Sequence, residues 1–204
     1  TVKPQNALRI LDPVALRIGI HPRVPERIAR LTAVGRITPR RLYWTLTAVV
    51  DVRTAAAFQH QLQVDPRLQI NSVTVQEDAA DRLLRWSRYG EQILLFLRDK
   101  TIGSQTIVVS GTMPQQVPQE FALPRISIAD AEVLDSKLAL YQDLDLAVEV
   151  VDADRLERIE SSAEQRAMGV SPGLLVGRFK SPAADVPVVV RTALNEPQLD
   201  CETV

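Results

Sequence analysis

Leu83–Met113 reads LLRWSRYGEQILLFLRDKTIGSQTIVVSGTM, and its alternation of apolar and polar side chains sets the expected fold. Leu84 and Trp86 alternate with Arg85 and Ser87, the period-two pattern of a strand with one face in a core. Arg88-Tyr89-Gly90-Glu91 punctuates the run, and Gly90 can take the positive φ of a hairpin turn without a Cβ clash. Ile93–Leu97 is apolar on both faces, as in a central strand covered on two sides. After Asp99–Ser104, Thr106–Ser110 is again β-branched and alternating. The stretch predicts a three-stranded meander with Trp86 turned into the core.

Upstream, Leu42, Trp44, Leu46, Ala48, Val50 and Val52 share one face of a strand, opposite Tyr43, Thr45, Thr47, Val49 and Asp51. Ala56, Phe58, His60, Leu62 and Val64 alternate with Gln59, Gln61 and Gln63, so the two runs predict a second hairpin, ended by Asp65-Pro66. Leu68 and Ile70 fall out of phase with Val73 and Val75, which places a bulge at Asn71-Ser72. Residues 1–40 contain Pro4, Pro13, Pro22, Pro25 and Pro39; a proline has no N–H for the ladder, so Val14–Ile20 and Ile28–Val34 are read as short edge strands.

Downstream, Pro114–Pro124 reads as a linker, and strands are expected at Arg125–Ile128, Val133–Leu134, Lys137–Tyr141 and Leu144–Val151. Asp154 followed by Glu157 has the spacing of a capping box, Leu156, Ile159 and Ala163 share a helical face, and Gly169 supplies a stop. This predicts one helix over Arg155–Met168. Leu174–Phe179 and Val186–Leu194 read as further strands, and Asn195–Val204 as a connection leading onward. The fold class is therefore mainly β, an antiparallel β-sandwich with one helix near the C-terminal third. Residues 1–151 form the β-sandwich domain; 152–204 supply the helix and additional strands, packed on the same sandwich or leading into a following unit.

With 204 residues and 46% hydrophobic side chains, the chain can bury a core without a disulfide or metal. Its single cysteine, Cys201, excludes a disulfide scaffold. No run reaches the ~20 apolar residues of a membrane helix. Net charge is −1, but residues 1–60 carry nine Arg and one Lys against three acids, while 143–204 carry six bases against twelve acids. Such polarity either steers docking on an acidic neighbour or is neutralised within the fold.

The succession RRLYWTLTAVVDV (40–52), a Gln-alternating partner, NSVTV (71–75), LLRWS (83–87), ILLFL (93–97) and TIVVSGTMP (106–114) resembles β-sandwich segments of large multidomain bacterial envelope or secreted proteins of unknown function. The resemblance covers Arg40–Pro114. It implies an extracytoplasmic scaffold role, periplasmic, cell-surface or secreted, and transfers no functional residue.

Chemistry-bearing residues are sparse. His21 lies before Pro22, and His60 falls on an apolar strand face, where it reads as a core histidine with its ring nitrogens satisfied. A catalytic base would need a nucleophile and an orienting carboxylate beside it, and no G-x-S-x-G elbow is present. Asp143 with Asp145, Asp152 with Asp154, and Glu77 with Asp78 and Asp81 are acid groups that could serve glycoside hydrolysis or Ca²⁺; ordinary surface acids are spaced the same way. Gly169, Gly173 and Gly177 are four apart, but Pro172 interrupts them, so they read as a turn-rich loop. One cysteine and two distant histidines do not make a standard zinc site. Trp44 and Trp86 lie on apolar stripes, leaving Tyr43, Tyr89 and Tyr141 as aromatic platforms.

The sequence thus assigns no catalytic, cofactor-binding or metal-ligating residue. The leading expectation is a non-catalytic structural or interaction module cut from a larger exported bacterial protein, contacting neighbouring domains or a protein partner, with no nucleic acid and no membrane span. The second is a carbohydrate- or calcium-binding module. The third is a hydrolase, which would require Asp143 or Asp145 to come near His60.

Overall fold

The computed structural model describes residues 24–152, 156–159, 173–181 and 187–195. Its strands are β1 (Glu26–Ile37), β2 (Arg41–Val64), β3 (Gln69–Glu77), β4 (Ala80–Asp81), β5 (Leu83–Tyr89), β6 (Gln92–Pro114) and β7 (Gln119–Ala122). They continue with β8 (Ile126–Ile128), β9 (Ala131–Gln142), β10 (Leu146–Asp152), β11 (Glu157–Arg158), β12 (Leu174–Ser181) and β13 (Val189–Leu194). The chain is mainly β, as its alternation predicts.

The largest sheet has ten strands, in the order β11-β12-β9-β1-β2-β6-β3-β4, with β5 also on β6 and β8 also on β2. A three-stranded sheet has the order β10-β13-β7. Leu42, Trp44, Leu46 and Val50 of the large sheet, and Phe121, Leu146 and Val190 of the small one, belong to a single apolar core. Among the described residues no helix is long and apolar enough to cross a membrane.

The large sheet is mixed rather than antiparallel, because β1 runs parallel to β9. Hydrophobic alternation looks the same whichever way a neighbour runs, so the pattern carried no sign of this. Ile28–Val34 is correspondingly part of an interior strand between β2 and β9, not an edge strand. Val14–Ile20 lies outside the described residues.

The two expected halves of a hairpin, Leu42–Val52 and Ala56–Val64, are one strand of 24 residues. Likewise Ile93–Leu97 and Thr106–Ser110 are one strand of 23, so the meander is a single Gly90 hairpin. Gly90 does take positive φ there, at 60°. What looked like turns at residues 53–55 and 99–104 is a shared corner in β2 and β6. Between the pairs Val52↔Gly103 and Ala57↔Thr101, residues 53–56 of β2 face only Ile102. Between Ala57↔Thr101 and Gln59↔Phe96, only Phe58 faces residues 97–100 of β6. The insertions cancel, and the register beyond the corner resumes as it was before it. Thr54, at φ 67°, and Gly103, at φ 101°, supply the backbone bends.

The bulge expected at Asn71-Ser72 is present as a register shift between Ile70 and Ser72. The expected linker Pro114–Pro124 contains β7. Val133–Leu134 and Lys137–Tyr141 join into β9, through a shift opposite Ala29 and Arg30.

The helix expected over Arg155–Met168 is not seen. Glu157 and Arg158 are strand, paired with Lys180 and Phe179 on the open edge of β12; residues 160–172 lie outside the described part. At Glu157 and Arg158, main-chain pairing to an available edge outweighs the weak local signal of a capping-like spacing. β12 in turn pairs with β9, so this part of the chain extends the main sheet.

Candidate functional site

Among the described candidate acids, Asp143, Glu77 and Asp81 are each held by an arginine. Asp143 Oδ1 accepts from Arg36 Nε at 3.0 Å and Nη2 at 2.9 Å. Asp145 sits in the next turn, its carbonyl accepting from Asn195 N at 2.9 Å. Glu77 pairs with Arg82 at 2.8 Å and Asp81 with Arg98 at 3.5 Å, while Asp78 occupies the β3–β4 turn at φ 48°. Asp152 ends β10. Asp154, His21, Gly169 and Cys201 lie outside the described residues, and among those described no three His, Cys, Asp or Glu side chains come together as a metal site. Gly177 lies inside β12 at a bulge, not in a loop.

His60 is fully buried beyond the corner of β2, and its Nε2 donates to Gln105 Oε1 at 2.8 Å. The donor must be the imidazole, since the amide oxygen only accepts. Gln105 Nε2 donates to Thr101 Oγ1, and Thr101 Oγ1 to the carbonyl of Ala57 at 3.5 Å. His60 lies on one arm of the bent sheet, Gln105 on the other and Thr101 at the corner between them, so this chain of donors ties the arms together. The sequence reading of a core histidine holds, with one correction: Nδ1 has no protein partner. Burial pushes the imidazole pKa below its ordinary value, the Gln105 bond opposes this, and the Arg27 charge adds to it.

Asp143 and His60 do not meet. Asp143 N bonds Ile37 O at the β1–β2 turn, whereas His60 is most of the length of β2 away, past the corner. A hydrolase built on that pair is not assembled.

Trp44 is buried at 5% exposure, as expected. Trp86 is 37% exposed and Leu84 is exposed too, contrary to expectation. β5 is bonded along β6 on one side only, so its side chains lack neighbours on the other.

The feature that sequence reading missed is the outer face of the large sheet. Register aligns Lys180, Lys137, Thr32, Thr47, Val108 and Thr74 in one row across six strands. The next row runs Arg178, Ala139, Val34, Thr45, Ser110 and Ser72. A third runs Tyr141, Arg36, Tyr43 and Thr112. Over β2, β6 and β3 this face is short-chained, with Thr45 Oγ1 and Ser110 Oγ 3.3 Å apart, Val49 exposed and the charge of Asp51 balanced by Arg53 at 2.6 Å. Over β1, β9 and β12 it is basic and holds a groove of about 500 Å³ lined by Val34, Lys137, Ala139, Tyr141 and Lys180. The polar half of each alternation was visible in the sequence, but not which strands lay side by side.

No family model and no curated protein matches the chain. Among solved structures it is similar to an M1 zinc metallopeptidase from Deinococcus radiodurans, with a TM-score of 0.52 and 8% identity, over 82% of this chain and 42% of that one. A two-domain M1 zinc metallopeptidase mutant bound to L-tryptophan gives a TM-score of 0.53 and 9% identity, over 83% of this chain and 43% of that one. At these identities the likeness shows a shared fold. The chain spans about two-fifths of the length of the peptidases it matches.

Proposed function

We propose that this chain is a non-catalytic structural and interaction module of a larger exported bacterial protein, its two sheets packed as a β-sandwich. On this reading the neutral outer face of β2, β6 and β3 docks on a neighbouring domain. The observation that carries it is that face itself: an array of Thr, Ser and Val side chains, short enough to let another surface approach closely, whose acid, Asp51, is paired with Arg53. The fold's likeness to under half of longer chains supports a place beside other domains. Export rests on the sequence resemblance alone.

The charge polarity of the sequence contributes less than a simple count suggests. Arg36 is taken up by Asp143, Arg53 by Asp51 at 2.6 Å, and Arg191 by Glu120 and Glu149. Docking by the neutral face is then weakly dependent on salt.

The test places Thr74→Asp with Val49→Asp, both exposed on this face, in the isolated chain and in its full-length parent. The expected result is an unchanged melting temperature for the isolated chain and a separate, earlier melting transition in the parent. Identical behaviour in both contexts refutes docking through this face.

A further inference from the structure

The basic half of the same sheet carries cations and tyrosines in alternation, and we propose that it binds a linear carboxylated polysaccharide. The inference goes beyond the docking role and uses a different part of the surface. Tyr43 on β2, Arg36 on β1 and Tyr141 on β9 are register partners on one face. Two strand spacings of ~4.8 Å put the tyrosines roughly 10 Å apart with the guanidinium between them.

The track continues at both ends of this row. On one side the tight β1–β2 turn adds Arg40 and Arg41, both exposed, which line a cavity of about 400 Å³ with Arg36 and Tyr43. The turn is fixed: Thr38 Oγ1 donates to the carbonyl of Arg41 at 2.8 Å and accepts from Arg41 N at 3.0 Å. On the other side Tyr141 forms part of the groove that also holds Lys137 and Lys180. Asp143 and Glu157 line these two cavities and Asp135 pairs with Lys137 at 3.6 Å, against Arg36, Arg40, Arg41, Lys137, Arg178 and Lys180; Asp143 holds Arg36 in place through two bonds to one oxygen. Cations therefore outnumber acids along the track.

The ligand class follows from this spacing. Arginine forks take carboxylates in planar, two-bonded pairs; Arg36 is engaged by Asp143, and the exposed Arg40 and Arg41 present theirs to a ligand. Tyrosine offers a flat apolar ring with a polar tip, suited to the C–H face and hydroxyls of a sugar; Tyr43 is 46% exposed. A polymer that repeats both a ring and a carboxylate uses both kinds of side chain. A plain acidic peptide such as polyglutamate has no ring for the tyrosines. A nucleic acid calls for a strongly basic domain, and this chain has a pI near 6.1.

The full chain is titrated at low and high salt with polygalacturonate, neutral dextran, polyglutamate and polyuridylate, with melting followed in parallel. Polygalacturonate is expected to bind and dextran not to bind. Arg40→Ala with Arg41→Ala, both on an exposed turn, is expected to weaken polygalacturonate about tenfold without lowering the melting temperature. Tyr43→Ala is expected to weaken it several-fold while Tyr43→Phe retains it. Absence of binding at low salt, or equal binding by the arginine variant, overturns the proposal. Polyglutamate or polyuridylate binding as tightly as polygalacturonate also overturns it, in favour of an acidic protein or a nucleic acid. None of these outcomes bears on docking by the neutral face.

Discussion

The indole of Trp44 lies across Gly35, its register partner on β1: a Cβ added at Gly35 would fall 2.9 Å from Trp44 Cζ3 and 3.0 Å from Leu140 Cδ1. Trp44 meets a second glycine, Gly111, as its partner on β6, so the largest side chain of the core is flanked by the two smallest residues. Strand glycines commonly mark such close approach. Gly35→Ala is therefore expected to destabilise the fold by about 1–3 kcal/mol, the range for overpacking a filled core. Urea unfolding followed by tryptophan fluorescence measures it; an unchanged midpoint would refute the packing described.

Acid should weaken the protein through His60. Its folded pKa is depressed below the ordinary 6.5 of an imidazole. The unfolded chain thus takes up a proton first, so the stability present above pH 6.5 is lost as pH falls toward the folded value. Unfolding midpoints at pH 7 and pH 5 should differ for the parent chain and differ less for His60→Gln, which removes the titrating group.

Gln105 is the acceptor that makes burial of His60 tolerable. Gln105→Leu leaves the Nε2 proton buried without a partner, and a loss of about 1–3 kcal/mol is expected. Because the bond spans the corner, amide exchange in β2 and β6 near residues 57 and 101 should accelerate more than exchange near Leu42 and Met113. Uniform acceleration would show that the network does not serve the corner locally.

Thr54 holds φ 67°, a region that β-branched residues avoid. Thr54→Gly relieves this strain at some entropic cost, and a net gain of up to about 1 kcal/mol is expected. The check is a melting temperature a few degrees higher; a lower one would mean that the threonine side chain contributes more than its backbone costs.

The two tryptophans should separate cleanly by environment. Trp86→Phe is expected to leave blue-shifted emission that resists acrylamide, from Trp44 alone, while Trp44→Phe would leave a red-shifted, quenchable signal. Equal quenching of both would place Trp86 in the core after all.

The alternation from Leu42 to Val52, the Gly90 hairpin and the slip at Asn71-Ser72 were legible because each is a local event, fixed by side-chain period or by the backbone freedom of one residue. The corner was not, because residues 53–55 and 99–104 carry the same small and polar chemistry whether a chain reverses or only bends. Trp86 was misjudged for a related reason: an apolar stripe declares a buried face only if something arrives to cover it. His60 was placed correctly by its apolar neighbours, but Gln105, forty-five residues away, gave no sign of being its partner. Tyr141 became a neighbour of Arg36 only once the parallel pairing of β1 with β9 was known.

The matched insertions at the corner also constrain how this chain can change length. Dropping one residue from 53–56 alone would turn everything beyond it inside out, sending His60 and Leu62 to the solvent and Gln61 to the interior. Removing two residues from that segment and two from 97–100 together leaves both ladders aligned and the buried faces inward. Viable relatives of different length at this elbow should therefore vary on the two strands in tandem.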